Sequence, residues 1–207
     1  MLINLPLNAE VWCTDGLGGY STRVIVDPVA NRATHLVVQE NAVMDIEWLV
    51  PVEAIERTTP DAIYLKLSRH ELAQTHSFIE TEHIVPLPDG VNQATFKSPV
   101  GNQVLWPAPP MEPGSITHVR EVVPAGEVVV RRGDQVEAAG QEVGHIEEFV
   151  IESQTGDLTH VVVRTGHLWG RKVILVPIED VAHVAQGVVH LRLSKPQIDA
   201  LPHVRAH

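Results

Sequence analysis

Thr34-His35-Leu36-Val37-Val38 is answered 125 residues later by Thr159-His160-Val161-Val162-Val163, with four of the five positions identical. Further along, Leu49-Val50-Pro51-Val52-Glu53 returns as Leu175-Val176-Pro177-Ile178-Glu179, and Leu65-Lys66-Leu67-Ser68-Arg69 as Leu191-Arg192-Leu193-Ser194-Lys195, both at an offset of 126. One residue has therefore entered the loop between the matched blocks. Counting back at 125, Val11 falls on Val136, Gly19 on Gly144 and Val26-Asp27 on Ile151-Glu152. Self-similarity over 9–78 and 134–204 is the mark of one structural unit made twice. It predicts two small domains, 1–78 and 129–207, joined by a connector over 79–128.

Within each copy the pattern is that of short strands broken by turn chemistry. Arg23-Val24-Ile25-Val26 is a β-branched run closed by Asp27-Pro28 and a turn through Asn31, and residues 34–39 read as the return strand. Residues 148–151, Thr155-Gly156-Asp157 and 159–164 repeat that hairpin. Pro51 and Pro177 donate no ladder hydrogen bond, so they are expected at a sheet edge or a strand start. Residues 63–67 and 188–193 alternate apolar and polar positions, as half-buried strands do. Helix is confined to short turns at 53–57 and 179–183, then 69–74 and 196–200. Five or six strands in about 70 residues leave a closed sheet as the way to protect the edges. The expected fold class is all-β: two small barrels with short helical turns and an extended proline-rich connector.

The order Val-x-x-x-x-Gly-x-x-Gly, β-branched strand, acid and turn, Thr-His-apolar-Val-Val, loop, Leu-Val-Pro-apolar-Glu and closing Leu-x-Leu resembles the PRC-barrel family. That fold is shared by the cytoplasmic domain of the photosynthetic reaction centre H subunit and the C-terminal domain of the ribosome maturation factor RimM. The sequence is most similar to bacterial proteins with two such barrels in tandem, which carry Gly166-His167-Leu168-Trp169-Gly170 before the second Val-Pro and Val122-Val123-Pro124-Ala125-Gly126-Glu127 before the second barrel. Ala138-Ala139-Gly140 departs from the family's usual Asp-Gly turn, which copy one keeps as Asp15-Gly16, and leaves that turn's type open. The resemblance implies a protein-docking or assembly module that does no chemistry with its barrel. By analogy with RimM it also admits an RNA- or ribosome-associated assembly factor.

Charge weighs against the second alternative. The 26 acidic and 15 basic residues give −11, a field that repels phosphate and anionic lipid. No basic half is hidden: 1–78 carries 5 basic and 10 acidic residues, 79–128 carries 2 and 6, and 129–207 carries 8 and 10. The expected partner is thus a protein, including a second copy in a homo-oligomer, rather than nucleic acid. Aromatics are only 4% of the chain, so the cores must be aliphatic. Cys13 is the single cysteine, which removes internal disulfides and Cys-x-x-Cys sites. Residues 1–7 lack the basic start and apolar core of a secretory leader, and no apolar run approaches the ~18–20 residues of a membrane span. A cytoplasmic protein is the expectation.

The connector holds 8 of the 15 prolines, which favours extended chain. Its Ile84, Val85, Phe96, Val104, Leu105 and Trp106 would be costly to leave in water, so it is expected to pack on both barrels. Strands or barrel edges are expected at 116–123 and 127–131.

No candidate catalytic residue emerges, and no metal or cofactor is called for. The twelve histidines show no ligand spacing of quality, and His35 and His160 hold equivalent positions, which favours a duplicated structural role. Cys13 reads as a small core residue. Asp15-Gly16-Leu17-Gly18-Gly19 lacks the ending of a phosphate loop and precedes a strand, so its glycines serve a tight turn. Glu147 and Glu148 are neighbours on a strand and are expected on opposite faces. One segment carries a binding expectation: His167, Trp169, Arg171 and Lys172 combine an aromatic with cations in an inter-strand loop, and Trp and Arg are enriched at binding hot spots. A cap over its own barrel is the alternative role for Trp169.

Overall fold

Branched aliphatic residues at alternate positions, punctuated by glycine, proline and acid-containing turns, make strand the dominant element of the chain. A computed structural model describes residues 1–41, 46–84, 116–166, 172–185 and 187–204. The first stretch forms β1 (Leu2–Pro6), β2 (Glu10–Cys13), β3 (Gly16–Asp27), β4 (Arg32–Asn41), β5 (Ile46–Pro51), β6 (Ile55–Thr58), β7 (Ala62–Leu65), α1 (Arg69–Leu72) and β8 (His76–Ser77). Next come β9 (Ile79–Ile84) and β10 (Ile116–Glu121), which pair in a small sheet of their own. The last stretch forms β11 (Val128–Arg131), β12 (Gln135–Ala138), β13 (Gln141–Glu152), β14 (Leu158–Thr165), β15 (Lys172–Pro177), β16 (Val181–Ala185), β17 (Val188–Leu191), α2 (Lys195–Asp199) and β18 (His203–Val204).

The chain is all-β, with strand order β6-β7-β2-β3-β4-β5-β8 in one sheet and β16-β17-β12-β13-β14-β15-β18 in the other. Each sheet has an eighth strand, and that strand comes from the other half of the chain. β1 lies antiparallel to β13, with Ile3 opposite Ile151 and Leu5 opposite Phe149. β11 lies antiparallel to β3, with Val128 opposite Val26 and Val130 opposite Val24. These pairs correspond residue for residue at an offset of 125, so the exchange is reciprocal. The expectation that each copy completes its own sheet is corrected here: the strand that precedes each copy completes the other. Among the described residues no pairing joins the two ends of either sheet.

The hairpin tips obey the same symmetry. Ala33 N–H donates to the Gly156 carbonyl at 2.9 Å, and Leu158 N–H donates to the Asn31 carbonyl at 2.9 Å. The backbones of Arg32 and Asp157, which are counterparts, meet in an isolated antiparallel bridge, as at a two-fold axis. Asn31 and Gly156, also counterparts, both sit at positive φ, 52° and 75°. Glycine meets that demand freely and Asn is among the side chains that tolerate it. A Cβ at Gly156 would lie 2.5 Å from the Ala33 carbonyl oxygen. Leu5, Val24, Val26 and Leu36 therefore share one hydrophobic core with Phe149, Ile151, Val161 and Ile174.

Two local expectations change. Pro51 and Pro177 end their strands rather than begin them, and each opens a short 3-10 helix, Val52–Ala54 and Ile178–Asp180. Those helices stop earlier than the expected turns at 53–57 and 179–183, because branched Ile55, Thr58, Val181 and Val184 carry the chain into β6 and β16. α1 and α2 fall where short helices were predicted, each opened by a Ser capping box: Ser68 with Glu71, and Ser194 with Gln197.

Of the connector, Glu80–Glu121 is a separate unit from Met1–Ile79 with Val122–His207. Its residues 85–115, with Phe96 and Trp106, lie outside the described residues. No helix of the described residues is long and apolar enough to cross a membrane.

Candidate functional site

Alternation along β13, β14 and β15 sends Phe149, Ile151, Val161, Val163, Ile174 and Val176 into the core. The residues between them point the other way, and they too are apolar. Val150, Val162, Val173 and Leu175 line a groove of about 910 Å³ on that outer side, with Val162 and Leu175 directly opposite each other. A sheet apolar on both faces is usually covered on both.

The walls are charged and already organised. Arg132 Nη2 and Nε donate to Glu147 Oε2 at 2.5 and 2.9 Å, while Arg164 Nε reaches Glu147 Oε1 at 2.9 Å. Two guanidinium groups thus share one carboxylate whose side chain is only 14% exposed. Arg132 Nη1 also donates to the Leu7 carbonyl at 3.4 Å, which ties this wall to the segment after β1. Across the groove, Trp12 Nε1 donates to Glu10 Oε2 at 3.0 Å, and the Arg57 guanidinium lies 3.4 Å from the Tyr64 ring centroid. Asn4 Nδ2 donates to Glu148 Oε1 at 3.2 Å. Glu147 and Glu148 both line the groove, contrary to the opposite faces expected from strict alternation. The register of β13 against β14 shifts between Ile146 and Glu148, and a bulge of this kind re-aims side chains.

Of the residues singled out in the sequence, His167, Trp169 and Arg171 lie outside the described residues. Lys172 is the exposed first residue of β15, opposite Thr165. The next pair inward, Arg164 and Val173, lines the groove, so the two strands that carry that loop also build the groove wall and floor. Val150, Val162, Val173 and Leu175 were not legible as a site. The available signal was the unbroken apolar runs at 161–163 and 173–176, where a one-faced strand would alternate.

The remaining candidates fall into structural places. Cys13 is 7% exposed in the core, and burial, then the Asp15 carboxylate, push its thiol above the usual range. His35 Nδ1 and His160 Nδ1 contact the hydroxyls of Thr34 and Thr159 at 3.0 and 3.2 Å, the same arrangement twice. Burial is the main influence pushing His35 below its ordinary value. In the glycine loop, a Cβ at Gly18 would lie 2.7 Å from Cys13 Sγ, and one at Gly19 would lie 2.2 Å from the Gln39 carbonyl oxygen. Gly16 and Gly19 hold φ of 144° and 147°. Close packing accounts for Gly18 and Gly19, and positive φ for Gly16 and Gly19. Among the described residues no group of three or more His, Cys, Asp or Glu is arranged to hold a metal ion.

Comparison with known families places a PRC-barrel domain at residues 133–197. That stretch contains β12 to β17, and with them the groove floor and the Glu147 to Arg164 wall. No curated protein matches the chain.

Proposed function

We propose that this protein is a non-catalytic docking module that assembles protein partners, and that its first sheet is a second copy of the PRC-barrel fold found at 133–197. The observation that carries the reading is the groove: an apolar sheet face lies at its base, and the Arg132, Glu147 and Arg164 charges on its wall are bound to one another rather than held ready for a reaction. Val173 and Leu175 remain partly exposed on that face, and apolar surface rimmed by polar groups is a mark of interaction sites. The predicted contact residues His167, Trp169, Arg171 and Lys172 belong to the same proposal, since their loop joins two of the groove's strands. Self-association is one form such docking takes. Residence in the cytoplasm fits the reading, as does the charge of −11, which opposes nucleic acid.

The test is affinity capture with the full chain as bait, with and without nuclease, followed by mass spectrometry. The proposal expects a discrete protein partner that survives nuclease and whose capture falls at least tenfold for Trp169→Ala/Arg171→Ala at unchanged melting temperature. Capture that depends wholly on RNA would replace this reading with the ribosome-associated one. Undiminished capture by the double variant would remove the loop from the site.

A further inference from the structure

The first sheet shows what its outer face takes. Ile25, Val37 and Leu49, the counterparts of Val150, Val162 and Leu175, form a cluster of their own around Phe78, with Val123 and Val129 packed upon it. Phe78 is fully buried and lies in extended chain: its N–H donates to the Glu47 carbonyl at 2.8 Å and its carbonyl accepts from Val122 N–H at 2.7 Å. The Arg23 guanidinium sits 5.1 Å from the Phe78 ring centroid and bonds Glu47 Oε1 at 2.5 Å.

Among the described residues the second sheet carries other groups at these positions. At an offset of 126 the position of Phe78 is taken by Val204, opposite Val173 in β18, and at 125 the position of Val129 is taken by Asn4, which donates to Glu148. Val150, Val162 and Leu175 belong to no hydrophobic cluster among the described residues; Val150 and Val162 are 8% and 4% exposed, and Val173 and Leu175 above them are half-buried. Arg23 and Glu47 are replaced by Glu148 and Val173, so the cation that lies over Phe78 has no counterpart at its own position, while Arg164 stands where the first sheet has Gln39. Glu10, Asp61, Glu147 and Glu148 outnumber Arg132, Arg164 and the Arg57 stacked on Tyr64 by one charge.

The geometry points to an occupant of stated chemistry: an extended segment of a partner protein that sets a large apolar side chain on the half-buried Val173 and Leu175, as Phe78 is set on the first sheet, and that carries Lys or Arg beside it to meet the acidic excess. This rests on the docking reading and names the partner segment. Apolar anchors supply the hold, and complementary charge sets register and selectivity.

A random peptide library displayed against the immobilised full chain tests it, with selected peptides resynthesised and titrated. The expected sequences share a central Phe, Leu or Ile with Lys or Arg within a few residues. Their affinity should fall at least tenfold for Val173→Ser/Leu175→Ser, and also for Val204→Phe, which restores the first sheet's residue. Val29→Ser, on a hairpin tip 90% exposed, should leave it unchanged. Should the double variant lose its circular dichroism spectrum, Val204→Phe carries the test alone. Acidic or wholly polar selected sequences would overturn the occupant's chemistry while leaving the docking module standing. Binding that persists in both groove variants, or no enrichment at all, would overturn the site, whereas self-association abolished by the same variants would replace the partner protein with a second copy.

Discussion

Ala139 holds φ at 51° beside Gly140 at 74°, in the two-residue turn between Ala138 and Gln141. Positive φ at both central positions is a type I′ turn, the form whose twist suits a hairpin. Alanine pays a steric cost there of about 1 kcal/mol, because its Cβ crowds the backbone. Ala139→Asn creates the favoured Asn-Gly pair and is predicted to stabilise the protein by about 1 kcal/mol, read as a melting temperature about 2–4 °C higher. This turn could not be typed from sequence, since Ala-Ala-Gly carries no turn chemistry of its own. Gly144 was legible by contrast, because it recurs from Gly19: a Cβ there would lie 2.3 Å from the Arg164 carbonyl oxygen, and the repeat preserves what that close backbone approach requires.

At the scale of elements, the hairpins β3–β4 and β13–β14 were readable from β-branched runs and turn residues, which are local signals. The exchange of β1 and β11 was not. Leu2-Ile3-Asn4-Leu5-Pro6 shows a strand-like run but nothing of its partner more than a hundred residues away, and the counterpart 128–131 straddles the expected boundary between the connector and the second domain. Long-range pairing depends on which edge lies open in the folded molecule, and local periodicity does not record that. Leu5 is the measure of the exchange, being fully buried in the shared core while Leu2 is 55% exposed. Leu5→Ala is predicted to lower unfolding free energy in urea by about 3 kcal/mol, within the range for a leucine cut from a packed core. Leu2→Ala should change it by less than about 0.5 kcal/mol. Equal, small effects at both positions would mean that β1 does not complete the second sheet.

For the whole molecule, repetition and divergence divide the labour. The two-fold contacts at Arg32 and Asp157, together with the exchanged strands, bind the two sheets through one core, while Arg23 to Glu148, Glu47 to Val173 and Phe78 to Val204 make their outer faces different. The repeat was legible because it is written in identical residues. The groove was not, because its apolar floor reads as core until the covering side chains can be seen to differ. A molecule interlocked in this way should open as one cooperative body. Native-state hydrogen exchange on the full chain, followed residue by residue by NMR, measures this directly. The account predicts that the hydrogen-bonded amides of β1 and β13, and of β11 and β3, share one protection free energy equal to that of global unfolding. Rapid exchange of β1 and β11 alone, or two separate protection levels for the two sheets, would contradict it.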